Sequence, residues 1–453
     1  MLSFLSRHRK ALLRTGAGLL AFAVLFLALF AVAVSLAPAR LAPYFSGPKF
    51  RDKISESTSR GLKVEGKFSE IHPDGWKATA DSFHSVGRPG ESIASLDAEG
   101  LAAKFNPWGF LRHRWVLDWV SIDRATLVLR TSDPDAKIPL PKKERPWYAF
   151  VLPKRTTVTE VWSDQTEVLW TFRGEPAGIH HIRLRLTPTG HRSWRFTSGD
   201  GSGLLEVAPL PPLRVVGISA ILSKPWFDLE GAVLAPEDPA DPGRLRLAGK
   251  AGLREDKTME LRAEALGMPL GPWLPPSWRR WLSGRIDGRA TWDGTGTKLE
   301  HSRGDGSVRL VDATLSGMPL LEHLARFSGN PAFREVKFSR AMLDWSWRDP
   351  VADITHIALQ SDGIVRLEGD VHVDAGKLSG VLRLGLRGAD LKWLPKQGVP
   401  LFPEEADGYR WTTITLSGTV QEPKDDFSPR LRDALLASPS TLLKLGWEEV
   451  FGP

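Results

Sequence analysis

A mainly β fold, preceded by one membrane-spanning helix and accompanied by few short helices, is what this sequence predicts. Three observations carry that expectation. Apolar and polar residues alternate with period two in many short runs, the mark of strands with one buried face. Seven Asp-Gly pairs, at 74–75, 200–201, 287–288, 293–294, 305–306, 362–363 and 407–408, supply the positive φ angles of tight hairpins. Runs with helical spacing are scarce. Together they predict antiparallel meanders rather than βαβ units.

The elements follow in order. Residues 16–37 read GAGLLAFAVLFLALFAVAVSLA without a charge. A helix of that length spans about 33 Å, enough for a hydrocarbon core of roughly 30 Å. Its apolar residues are Leu19, Leu20, Phe22, Val24, Leu25, Phe26, Leu27, Leu29, Phe30, Val32, Val34 and Leu36, and it opens at Gly16. Arg7, Arg9, Lys10 and Arg14 precede it, which places the N-terminus in the cytoplasm. The apolar run is longer than a signal peptide's, and Pro38 spoils the small-residue cleavage context, so an uncleaved anchor is expected.

Residues 48–61 have the spacing of a short amphipathic helix, with Phe50 and Ile54 on one side and Gly61 as its stop. Alternation then begins at Leu62 and returns around Leu184 and Leu186, Leu245 and Leu247, Val371 and Val373, Leu382, Leu384 and Leu386, and Ile414 and Leu416. Residues 319–327, 429–436 and 441–450 are the remaining helix candidates. Residues 132–146 read as a linker, 235–243 as a loop between strands, and 271–282 as a break before strands resume at Gly284.

Composition excludes several functions. The chain has 453 residues and no cysteine, so disulfides, thiolate metal sites and a cysteine nucleophile are excluded. The four cations before the apolar run supply more than half of the net +7, leaving no basic stripe for nucleic acid. No catalytic or metal residue is predicted. Gly199-Asp-Gly-Ser-Gly203 has its serine one place late for a nucleophile elbow and reads as a hairpin loop. His180 and His181 are adjacent on a strand, which would point them to opposite faces. Glu404-Glu405 and Asp425-Asp426 sit beside prolines and read as solvated loops. Core packing is expected for Trp115 and Trp119, whereas Trp273, Trp278 and Trp281 suit core packing and a boundary position, at a groove rim or a membrane interface, equally.

The alternation leaves each sheet with a dry face that something must cover. Helices are too few. Two coverings remain open: a second sheet, as in a β-sandwich, or apolar ligand lying in a trough that twist coils around it. Acyl chains would satisfy such a face at about 0.8 kcal/mol per buried methylene.

Several stretches resemble the AsmA family of inner-membrane-anchored proteins. The order of basic tail, span, short helix and then Arg60-Gly-Leu-Lys-Val-Glu-Gly66 is similar to its N-terminal pattern; residues 103–129 resemble its strand, turn and Leu-rich strand. Residues 304–315, 365–386 and 416–427, the last containing Gly418-Thr419 and Pro423, resemble its C-terminal region. These motifs are strand and turn patterns, and they cover about residues 44–131 and 284–430. The resemblance implies a basic tail (1–15), the span (16–37), an N-terminal AsmA-like region (44–133), a middle β-rich region (134–283), an AsmA-like C-terminal region (284–430) and a helical tail (431–453). It further implies an elongated, curved antiparallel β-groove of chorein-like type. The protein would be a non-enzymatic one without cofactor, anchored in the inner membrane with its bulk in the periplasm. Its partners would be phospholipid or another lipid, with outer-membrane or envelope proteins also in view. The groove would be lined by the eleven apolar strand residues from Leu184 to Leu416 named above. An assembly factor that pairs its strand edges with outer-membrane proteins is the alternative expectation.

Overall fold

The computed structural model describes residues 46–436, apart from 90, 92, 112–113, 131–154, 173, 191–192, 200, 209, 224–225, 253–257, 275, 296–301, 319–320, 323–324, 326–328, 393–400 and 421. The predicted span 16–37, the linker 132–146 and the helix candidate 441–450 lie outside the described residues. Among the described residues no helix is long and apolar enough to cross a membrane. The chain is mainly β with few helices, and it divides into two units, Met1–His191 and Arg192–Pro453.

The first unit begins with α1 (Pro48–Leu62), which has proline in its first turn. The helix runs past Gly61. Its left-handed terminal residue is Lys63, at φ 61°, so strand pairing starts at Val64 rather than Leu62. Strands β1 (Val64–Phe68), β2 (Ile71–Asp74), β3 (Lys77–Gly87), β4 (Ile93–Asn106) and β5 (Arg114–Leu129) follow, with the short α2 (Trp108–Leu111) between β4 and β5. Then come β6 (Arg155–Val158), β7 (Val161–Phe172) and β8 (Glu175–Gly190). β1 and β2 lie end to end along β3, β3 pairs with β4, and β4 pairs with β5, all antiparallel. The expectation of a wholly antiparallel sheet fails here: β6 and β7 both join β5 in parallel, and β8 returns antiparallel to β7. Parallel neighbours need a long crossover, and the chain between β5 and β6 is long enough to provide one.

Helix α1 covers one end of this unit's apolar face. Phe50 is buried against Ile71 and Ala80. Ser55 Oγ accepts from Phe68 N, and Ser59 Oγ accepts from Gly66 N, each at 3.1 Å.

The second unit is one antiparallel meander. Its strands are β9 (Ser193–Ser198), β10 (Gly203–Val207), β11 (Leu213–Ser223), β12 (Trp226–Pro236), β13 (Arg244–Gly252), β14 (Thr258–Pro269), β15 (Leu282–Thr295) and β16 (Ser302–Ser316). They continue with β17 (Glu335–Lys337), β18 (Arg340–Arg348), β19 (Val351–Ser361), β20 (Val365–Asp374), β21 (Lys377–Arg387), β22 (Glu404–Ala406), β23 (Tyr409–Gly418) and β24 (Pro423–Asp425). The short α3 (Pro276–Arg279) stands between β14 and β15, and α4 (Phe427–Leu436) ends the described chain. From β11 to β16 each strand pairs with the next; β17 and β18 share the far side of β16, and β18 to β21 continue to β23, which β22 and β24 flank. β9 and β10 both pair with β11, so the Gly199–Gly203 segment links two strands on one edge and is not a hairpin. Of the predicted helix 319–327 only Leu321, Glu322 and Ala325 fall among the described residues, and Leu321 and Ala325 are buried.

Asp-Gly pairs at 74–75, 362–363 and 407–408 close hairpins, as expected. Those at 287–288, 293–294 and 305–306 instead lie inside β15 and β16. There the aspartates lie on the charged face, and Gly306 sits beneath a large neighbour: an added Cβ would come 2.7 Å from Trp345 Nε1. Alternation, not turn chemistry, placed those glycines.

Candidate functional site

Residues directly opposite one another on paired strands share a face, so the register assigns every side chain in each sheet. In the second unit Leu234 opposes Leu245, which opposes Ala265. Leu261 opposes Trp292, which opposes Gly304; Gly306 opposes Trp345, which opposes Ile354. Ile354 opposes Val371, and Gly369 opposes Leu382, which opposes Ile414. From β11 through β21 this face carries no ionisable side chain where the register is defined. The other face is charged, with cross-strand pairs such as Arg246–Glu264, Arg303–Asp293 and Arg383–Glu404.

Coverage of the apolar face changes along the strands. One end, where longer connections leave the sheet, is closed. Phe333, Leu386, Leu391 and Phe402 form a buried cluster there, and Leu213, Val215, Leu234, Met268 and Ala341 are buried on the same side. Toward the short hairpins at the other end, Leu222, Leu261, Trp292, Trp345, Trp347, Ile354, Val371 and Leu382 are only half-buried. All strands of the unit belong to one sheet, so the expected alternative of two sheets covering each other is not what forms.

The predicted residues fall on these faces. Leu184 and Leu186 of β8 oppose Ser163 and Val161 on the apolar face of the first unit, which holds Ile122, Ala125 and Val168 as well. The other nine are in the second unit. Leu245, Leu247, Val371, Val373, Leu382, Leu384, Ile414 and Leu416 are half-buried; Leu386, at 5% exposure, belongs to the closed cluster. Sequence reasoning missed Trp292. It lies 6.5 Å from Trp345, and Gly304 sits under its ring. The three residues separating Trp292 from the Asp-Gly at 287–288 carry the same alternation as the strand, and that signal was obscured by reading Asp-Gly as a turn.

The polar candidates take structural roles. His181 has φ 54°, which breaks the alternation; the two histidine rings are therefore 6.4 Å apart rather than on opposite faces. Among the described residues no group of three His, Asp or Glu is placed to hold a metal ion. Glu404 and Glu405 pair with Arg383 and Arg410 from strand β22, not from a loop. Asp425 accepts from Ser428 N at the start of α4, and Asp426 from Thr415 N. Trp119 faces the charged side, 5.2 Å from Trp162 and beneath Lys77, so it is not a core residue. The side chain of Trp115 lies outside the described residues. Glu99, Gly100, Asp123, Arg124, Asp164 and Gln165 line a polar depression, in which Arg124 pairs with Glu99 and Arg183 reaches Asp164.

Two carboxylates are held below their ordinary range. At Glu230 the Ser219 hydroxyl is the main cause, and Arg195 adds to it against a desolvation that raises it. At Asp241 burial pushes upward but is outweighed by the Gly243 N–H and by Arg285 and Arg244. Both groups join neighbouring strands or loops.

Comparison with protein-family models, with curated proteins and with solved structures returns no match.

Proposed function

We propose that this protein shelters or transfers lipid, most readily phospholipid, along the apolar faces of its sheets. It would do so as a non-enzymatic, AsmA-like protein anchored in the inner membrane by residues 16–37, with its bulk in the periplasm. The single observation that carries this reading is the apolar face of the second unit, free of ionisable groups from β11 through β21 and half-covered toward the hairpin end. An apolar face covered only in part needs a partner, and acyl chains supply one without asking for polar recognition. Aligned bulges, such as those at Ala265/Met268 in β14 and Ile354/Ile357 in β19, add twist and bend to the strands and favour a curved trough. The edge strands β22 and β24 are three residues each, and β24 begins with proline. Both features hinder strand addition there and weigh against the assembly-factor reading.

Photo-crosslinking tests the proposal. A photoreactive residue at Leu382 or Val371, on the apolar face, should capture phospholipid in cells, whereas one at Ser379 or Thr413, on the charged face, should not. Equal capture at both faces, or none at either, would overturn it.

A further inference from the structure

The segment between β14 and β15 leaves the sheet at its closed end, where Leu270 is buried. It is built as a 3-10 turn, Gly271–Trp273, followed by α3. Several hydrogen bonds fasten it. Arg279 Nε donates to Leu274 O at 2.8 Å and Arg279 Nη2 to Pro272 O at 3.3 Å. Ser316 N donates to Trp281 O at 2.8 Å, tying the segment's end to β16. From this knob Trp278 projects at 42% exposure, edge-on to Trp281 at 5.9 Å, and the Arg280 guanidinium lies 4.4 Å over the Trp281 ring.

Several arginines on the strands are matched by carboxylates across the sheet, as at Arg246 and Arg303. Arg279 and Arg280 make only backbone and ring contacts, with no carboxylate partner among the described residues. An exposed indole beside unmatched guanidinium groups suits the boundary of a bilayer, where the ring sits at headgroup depth and the cation meets lipid phosphate. A preformed loop also loses little freedom on docking. We propose that the Trp278–Arg279–Arg280 knob docks on the surface of an anionic bilayer. This surface is made by exposed side chains of the segment itself and does not depend on what the apolar face holds.

The test uses the full chain held in phosphatidylcholine nanodiscs and mixed with vesicles of phosphatidylcholine alone or with added phosphatidylglycerol. Because the chain has no cysteine, Pro276→Cys offers a unique thiol for an environment-sensitive dye. Co-flotation with the anionic vesicles and a blue shift of the dye are expected. Arg280→Gln should weaken flotation roughly 5-fold, the contribution of one cation near an anionic surface. Trp278→Ser should weaken it as well, and both variants should melt as the wild type does. Equal flotation with neutral vesicles, wild-type flotation by both variants, or a dye that stays in water would overturn the proposal. Leu382→Lys, which targets the apolar face, should leave this flotation unchanged, so the two readings can fail separately.

Discussion

Leu382 and Leu386 lie on one face of one strand, about 14 Å apart, yet their surroundings differ. Leu386 is 5% exposed among Phe333, Leu391 and Phe402. Leu382 is half-buried between Gly369 and Ile414. Lysine at each position therefore separates an open face from a closed core. At Leu386 the ammonium would be trapped in a packed cluster, at a cost of about 4 kcal/mol or more. At Leu382 the chain can bend its charge into water, and the cost is the forfeited half-burial of a leucine, about 1–2 kcal/mol. In a unit of this size each kcal/mol moves the melting midpoint by roughly 2–4 °C. Urea unfolding followed by tryptophan fluorescence reads both costs, and lipid extraction from the purified chain reads loading. The expected pattern is a folded Leu382→Lys protein with diminished lipid and a severely destabilised Leu386→Lys protein. If Leu382→Lys is destabilised as much as Leu386→Lys, the face is a closed core. If it folds and retains its lipid, the face is not where lipid binds.

Further predictions follow from local geometry. Gly306→Val would drive a side chain onto the Arg289 carbonyl oxygen and the Trp345 ring, so it should cost about 1–3 kcal/mol despite valine's strand preference, as read by urea unfolding. Asp241→Asn should lower stability at neutral pH and flatten the acid limb. A carboxylate whose folded pKa lies below its unfolded value of about 3.9 contributes stability above that pH and loses it as the pH falls through the folded value. Melting curves of wild type and variant from neutral pH to below pH ~4 should therefore converge. Ser55→Ala removes the acceptor of Phe68 N and should cost about 1 kcal/mol, with faster amide exchange at Phe68.

Much of the fold was legible in the sequence because period-two alternation is a local property. The pairs Leu184 and Leu186, Leu382 and Leu384, and Ile414 and Leu416 announce strands and say which of their residues share a face. Other features were hidden because they depend on partners distant in sequence. The parallel return of β7 onto β5 left no mark in either strand. Asp305-Gly306 looks like a hairpin signal until Trp345 is seen to fill the space above the glycine. His181 breaks alternation through one backbone angle that residue type alone did not announce.

The sequence by itself determined the strand-rich character, the sidedness of each strand, the absence of cysteine chemistry and the charge-free run at 16–37. Tertiary structure alone decided how the sided strands were joined: as one meander in the second unit, with its apolar face closed by Phe333, Leu391 and Phe402 at one end and half-covered at the other. The physical reason is that alternation records which side chains avoid water. What shields them instead is a relation between distant segments, and no single strand encodes it.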